Sequence, residues 1–140
     1  MVTENKIVVV VKAFIIRKAK VLIVKRTKKD NVGADTWECA GGKIEFGENL
    51  EDALIRETKE ETGLDIKVER ILYAATFKTD PARQVVILTY LCSCDEIDVT
   101  LSEEHTEFQW STSQQLRQLL PQGILDDFMK YELFTLLELE

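Results

Sequence analysis

From Ile7 to Arg26 the apolar positions are mostly β-branched and are interrupted once, at Arg17-Lys18-Ala19-Lys20. That pattern predicts a hairpin with strands near 6–16 and 21–26. The polar run from Thr27 to Thr36, which holds Asp30, Asn31 and Gly33, reads as a loop, and a short strand from Trp37 to Ala40 ends on Gly41-Gly42. Asn49, with Asp52 three residues on, is placed to cap a helix, and Gly63 stands where a left-handed residue closes one, so the spacing predicts a helix over 50–62. Strands follow over 65–79 and 84–94, joined at Asp80-Pro81, with another over 107–111. Ser113 is read as the cap of a short helix that ends before Pro121. Beyond it, Leu125, Phe128, Met129, Leu133, Leu136 and Leu137 recur at spacings of three and four, as in one amphipathic helix docked on the core. No repeat, low-complexity tract or linker divides the chain, and 140 residues suit one domain spanning 1–140.

Composition narrows the partners. The chain is 45% hydrophobic and 31% charged, which excludes a disordered or fibrous protein. Its net charge of −7 repels polyanions and offers no broad basic surface, so neither a nucleic acid polymer nor an anionic membrane is expected as a partner. A small ligand held by a cation or a few basic side chains suits this field better. Lys12 and Arg17 interrupt the apolar N-terminal run, and no signal-peptide pattern opens the chain. Three cysteines, Cys39, Cys92 and Cys94, make no zinc pattern, so the expected setting is the reducing cytoplasm, for a monomer or a homodimer. Cys92 and Cys94, two apart on a strand, read as small buried side chains facing one way.

The helix over 50–62 carries an anomaly. Leu50, Ala53 and Leu54 define an inward face, and at about 100° per residue Glu57, Glu60 and Glu61 continue the same stripe. Three carboxylates at such spacing repel one another, and the last helical turn adds the negative end of the macrodipole. A row of glutamates on a helix is ordinarily a solvated face. Here the Gly-Gly turn just upstream, Glu48, and Arg56 inside the cluster argue instead for a hard divalent cation, Mg²⁺ with Mn²⁺ as substitute.

Residues 42–64, GKIEFGENLEDALIRETKEETGL, resemble the Nudix box, GX5EX7REUXEEXGU with U a bulky aliphatic residue. Gly42, Glu48, Arg56, Glu57, Glu60, Glu61, Gly63 and Leu64 match, and Thr58 stands where an aliphatic residue is usual. WECAGGKIEFGE is similar to the strand and turn entering the box in MutT-like members, and EHTEFQW to the acidic loop before a tryptophan strand in many of the family. The resemblance implies the Nudix fold, an α/β/α sandwich with a central mixed sheet, and divalent-cation-dependent hydrolysis of a diphosphate linkage in a nucleotide. Within that class it points to a nucleoside triphosphate cut to monophosphate and pyrophosphate. A nucleotide sugar, ADP-ribose or a dinucleoside polyphosphate is the alternative substrate, and a non-catalytic nucleotide sensor the alternative function.

By the same resemblance Glu57, Glu60 and Glu61 bind metal, joined by the Gly41 carbonyl and by Glu48, which either meets a cation or accepts from Arg56. Arg56 is expected to orient the glutamates. Glu57 and Glu104 compete as general base, the latter on a loop able to close over the site. Lys43 and Arg26 are the candidate phosphate contacts, each as readily a solvated cation at a strand end. Glu103 and Glu107 are read as surface charges, and His105 as an incidental exposed histidine. Phe77, Tyr73 and Tyr90 could stack on a base but fit strand packing as well. Cys39 could face substrate, though burial is the simpler reading. Asp126 and Asp127 could read a base edge, or simply open a helix.

Overall fold

A computed structural model of the chain describes residues 4–28 and 33–138, so Asp30 and Asn31 of the expected loop lie outside the described residues. Strands β1 (Lys6–Arg17) and β2 (Lys20–Arg26) form the hairpin. Its two-residue turn places Lys18 at φ 52° and Ala19 at φ 62°. Positive values at both positions belong to the turn whose twist matches antiparallel strands. There follow β3 (Trp37–Glu38), β4 (Ala40–Lys43), α1 (Leu50–Thr62), β5 (Lys67–Asp80), β6 (Arg83–Ser93), β7 (His105–Ser111), α2 (Ser113–Leu119), α3 (Gln122–Lys130) and α4 (Leu133–Glu138).

The sheet is mixed. Its main path runs β3-β2-β1-β6-β5, with β4 paired to β1 and β7 to β2. β1 and β6 run parallel from Lys6 opposite Arg83 to Ile15 opposite Cys92, and the other pairs are antiparallel. Alternation along β1 divides the core between two faces. Val11, Ala13 and Ile15 pack with Ala53 and Leu54 of α1 and with Leu64 and Ile66. Phe14 and Ile16 pack with Leu116, Leu125, Phe128, Leu133 and Phe134 from α2, α3 and α4. Helices thus cover both sides of a mixed sheet, the α/β/α arrangement expected.

Three local expectations are corrected. The cap of α2 is Thr112 and not Ser113: Thr112 Oγ1 accepts from the Gln115 backbone at 3.3 Å while Gln115 Oε1 accepts from the Thr112 backbone at 2.9 Å. The C-terminal stripe is carried by two helices, because Glu132 at φ 59° breaks the path between α3 and α4. The spacing survives the break since both helices bury leucines and phenylalanines against the same cluster, whereas Met129 is exposed. Asp126 and Asp127 lie in the middle of α3 and so do not open it. Among the described residues, no helix is long and apolar enough to cross a membrane.

Candidate active site

The site is assembled where β4 is pressed between β1 and α1. Gly41, at φ 145°, pairs with Lys12, and a Cβ there would strike the Val11 carbonyl and sit 2.9 Å from Lys12 Cα. A Cβ on Gly42 would run into the Glu57 carboxylate. The first glycine therefore permits the close approach of two strands, and the second leaves room for an acidic side chain. Helix α1 is fixed at both ends. Asn49 Oδ1 accepts from the Asp52 backbone at 2.8 Å, and Gly63, at φ 77°, donates to the Lys59 carbonyl.

Along α1 the acidic stripe is graded: Glu61 is buried, Glu57 half-buried and Glu60 exposed. Thr58, at the departure from the box pattern, is fully buried, and its hydroxyl has no partner among the described residues. Arg56 ties the stripe together. Its Nε and Nη2 each donate to Glu48 at 2.8 Å, Nη1 donates to Glu57 at 3.0 Å and reaches Glu60 at 3.3 Å, and Nη2 also donates to the Lys43 carbonyl at 3.3 Å. The hydrogen bonds from Arg56, with one from the Glu45 backbone, hold Glu48 down to about 2. Both Glu48 oxygens are thereby committed within the protein.

Glu61 is differently placed. Its Oε1 accepts from the Gly41 backbone at 2.8 Å. Burial pushes it up to about 8; Lys12 and the Gly41 amide pull the other way, while a hydrogen bond with Glu104 and the charge of Glu38 reinforce the rise. Glu57 is also pushed up, by burial first, against Arg56 and with help from Glu60 and Glu104. These carboxylates share too little positive charge of their own.

Glu104 stands beside Glu61 on a segment that is laced down. Thr100 and Ser102 donate to the carbonyls of Thr62 and Glu61 at 2.9 and 3.2 Å, and the Glu104 carbonyl accepts from Thr27 at 3.0 Å. In this structure the segment expected to be able to close over the site is held by these backbone bonds. Next to it, His105 is buried rather than exposed and incidental. Its Nε2 lies 2.9 Å from Glu38 Oε2, and its Nδ1, without a hydrogen-bond partner, lies 3.9 Å from Glu61 Oε2.

Beneath the carboxylates is a polar floor that sequence reasoning missed. Lys12 Nζ donates to Glu38 Oε1 at 3.2 Å and to the Cys39 carbonyl at 3.1 Å. Burial pulls Lys12 down, but Glu38 and Glu61 outweigh it and hold it above its ordinary value. Glu38 itself is driven up by burial and yet held at about 2 by Lys12, His105 and Arg26. Its signal was available in Lys12, a lone charge inside a strand of apolar residues.

The phosphate candidates are placed unequally. Lys43 is exposed at the end of β4. Arg26 Nη1 donates to both Glu38 oxygens, at 3.2 and 3.3 Å, so this guanidinium already has an anionic partner. Glu103 is exposed, and Glu107 pairs with Lys25 at 3.3 Å. Tyr73 is buried and stacked on Tyr131 at 5.0 Å, Tyr90 is buried in the α1-side core, and Phe77 is exposed. Cys39 is buried with its thiol pushed up to about 12 by that burial. Cys92 and Cys94 both join the α1-side core.

The donor set fits a divalent cation. Ligand atoms of Glu61, Glu104 and His105 lie within 4.8 Å of one another, and buried carboxylates with raised affinity for protons attract any other cation that can reach them.

Comparison with known proteins agrees with this geometry. A family model described as the NUDIX domain matches residues 6–131. The CTP pyrophosphohydrolase of Escherichia coli (strain K12) is 31% identical over 128 residues, covering 89% of this chain and 93% of that protein. The ADP-ribose pyrophosphatase of Methanocaldococcus jannaschii is 29% identical over 117 residues, covering 81% and 68%. The crystal structure of MutT protein from Methanosarcina mazei Go1 superposes with a TM-score of 0.84 at 26% identity, covering 94% of this chain and 96% of that one. With the box residues gathered along α1 and the turn that leads into it, and the family matched over nearly the whole chain, the protein belongs to the Nudix hydrolases and is MutT-like.

Proposed function

We propose that the chain hydrolyses a nucleoside triphosphate to the monophosphate and pyrophosphate with Mg²⁺, Mn²⁺ serving as substitute. Pyrophosphohydrolase chemistry on nucleotides follows from the family and its relatives. The divalent-cation part of this reading is supported by one observation: Glu57, Glu61 and Glu104 converge with less positive charge than three carboxylates require. A cation bound there would neutralise diphosphate oxygens and lower the pKa of a coordinated water.

The residues proposed to hold it are Glu57, Glu60, Glu61 and the Gly41 carbonyl. Glu48, engaged by Arg56, serves as an anchor for that arginine or meets the cation through water. Arg56 keeps Glu57 and Glu60 in one orientation, so that the carboxylates need not reorganise when substrate arrives. Glu57, shifted toward neutral pH by burial, is suited to accept a proton from the attacking water, and Glu104 is the competing base. Lys43, exposed beside the glycine turn, is the freer phosphate contact. Arg26 would have to share its charge with Glu38.

The likeness to an ADP-ribose pyrophosphatase favours one second reading, a nucleoside diphosphate joined to a sugar. A panel of nucleoside triphosphates, nucleotide sugars, ADP-ribose and dinucleoside polyphosphates, assayed with Mg²⁺ and resolved by product chromatography, decides between them. Fastest turnover of a triphosphate with equimolar monophosphate and pyrophosphate supports the proposal. Release of orthophosphate and diphosphate, or faster turnover of ADP-ribose, contradicts it.

A further inference from the structure

His105 is joined to a carboxylate through one ring nitrogen and faces the acidic site with the other. Nε2 lies 2.9 Å from Glu38 Oε2, and Glu38 is flanked by Lys12 and Arg26, so it is an ionised acceptor. A carboxylate only accepts, which makes Nε2 the donor and leaves Nδ1 of the neutral ring as a bare lone pair. The side chain is only 2% exposed, and Nδ1 has no hydrogen-bond partner among the described residues. It looks at Glu61 Oε2 from 3.9 Å, too far for a hydrogen bond. A buried ring nitrogen without a partner and a buried carboxyl oxygen thus face the same space, where a bound cation would satisfy both.

Ligand atoms of His105, Glu61 and Glu104 lie within 4.8 Å of one another. A donor set this compact could be shared by one bound ion. The hydrogen bond to Glu38 also has the form that holds ligating histidines elsewhere, where the distal N–H donates to a carboxylate that fixes tautomer and ring orientation. We propose that His105 Nδ1 is a direct ligand in the cation site, making it a mixed imidazole and carboxylate centre for a divalent transition metal such as Mn²⁺. This rests on the metal-site reading given above and extends it from oxygen donors alone to nitrogen. Imidazole suits Zn²⁺, Fe²⁺ and Ni²⁺ best, adds less to Mn²⁺ at the weak end of that series, and adds least to Mg²⁺, which prefers oxygen donors. Glu38, in this arrangement, is the positioning residue behind the ligand.

The full chain is titrated with Mn²⁺ alone and with Mg²⁺ alone by calorimetry, and bound Mn²⁺ is examined by pulsed electron paramagnetic resonance for coupling to ¹⁴N. The expected result is a strong, directly bonded nitrogen coupling in the wild type. In His105→Gln, whose amide nitrogen can still donate to Glu38, the coupling disappears. Mn²⁺ affinity falls there by about tenfold or more while Mg²⁺ affinity changes by less than about threefold. Mn²⁺ bound without nitrogen coupling, or equal losses for both metals, overturns the nitrogen ligand and leaves the carboxylate site standing. No uptake of either ion overturns the metal site itself. The wild-type spectrum decides the question even if His105→Gln fails to fold.

Discussion

Arg56 and Glu48 are joined by two parallel hydrogen bonds, Nε to Oε2 and Nη2 to Oε1, both 2.8 Å long. The fork leaves Nη1 to reach Glu57 and Glu60, so one guanidinium sets the positions of three carboxylates. Arg56→Lys keeps the charge but cannot make the fork. It is expected to lower kcat by about 10–100-fold, as losses of groups orienting metal ligands do. The double variant Arg56→Ala/Glu48→Ala should be scarcely worse than Arg56→Ala alone, because both remove the same link. Steady-state kinetics on the wild type, Arg56→Lys, Arg56→Ala, Glu48→Ala and the double variant checks this, and additive losses would show that the two residues act separately.

The adjacent glycines are predicted to fail differently. Gly41→Ala meets backbone atoms of β1 at a positive φ and should destabilise the fold by about 1–3 kcal/mol or more. Gly42→Ala meets the Glu57 carboxylate, which can move, so the fold should survive while catalysis falls by about 100-fold. Thermal unfolding and kcat, measured together, separate the two effects.

Much of this was legible in the chain. The caps Asn49 and Gly63, at fixed distances, delimit α1 by local chemistry, and Arg56, Glu57, Glu60 and Glu61 sit at spacings that any helix would bring together. The pairing of His105 with Glu38 was not legible, because it joins residues 67 positions apart and neither carries a local signal of its partner. The break at Glu132 was hidden for a different reason. Neither glycine nor proline marks it, and the apolar spacing runs through it undisturbed because α3 and α4 pack on one surface.

Protein stripped of divalent ions should lose stability as pH rises. Burial, with Glu104 and Glu38, lifts Glu61 to about 8 in the folded state, against 4.5 for an ordinary glutamate. Between those values the folded chain binds the extra proton, so this contribution is fully present below about pH 4.5, shrinks upward, and is gone above about pH 8. Glu38 and Glu48, held at about 2 in the folded state against an ordinary 4.5, oppose this slope at the acid end of the window and add none above about pH 6, where both are ionised folded or unfolded. Urea unfolding at pH 5 to 8 with chelator should show a decline of at most about 1.4 kcal/mol per pH unit from this group. Glu61→Gln should flatten it, and an unchanged slope in that variant would contradict the assignment.

Thr58 occupies an aliphatic position of the box with a buried hydroxyl that bonds to nothing described. Thr58→Val removes the polar atom at nearly constant volume and is expected to stabilise the fold by about 1 kcal/mol, leaving kcat unchanged. Denaturant unfolding measures it directly, and destabilisation would mean that the hydroxyl has a partner after all.

The claim on which the rest depends is that the acidic ridge of α1 takes up a divalent cation. Calorimetric titration of Mg²⁺ into the wild type, Glu60→Gln, Glu61→Gln and the surface control Glu103→Gln tests it most directly. The account predicts saturable binding in the wild type and in Glu103→Gln, weakened by about tenfold or more in both ridge variants. Equal binding in all four proteins, or none in any, would contradict it.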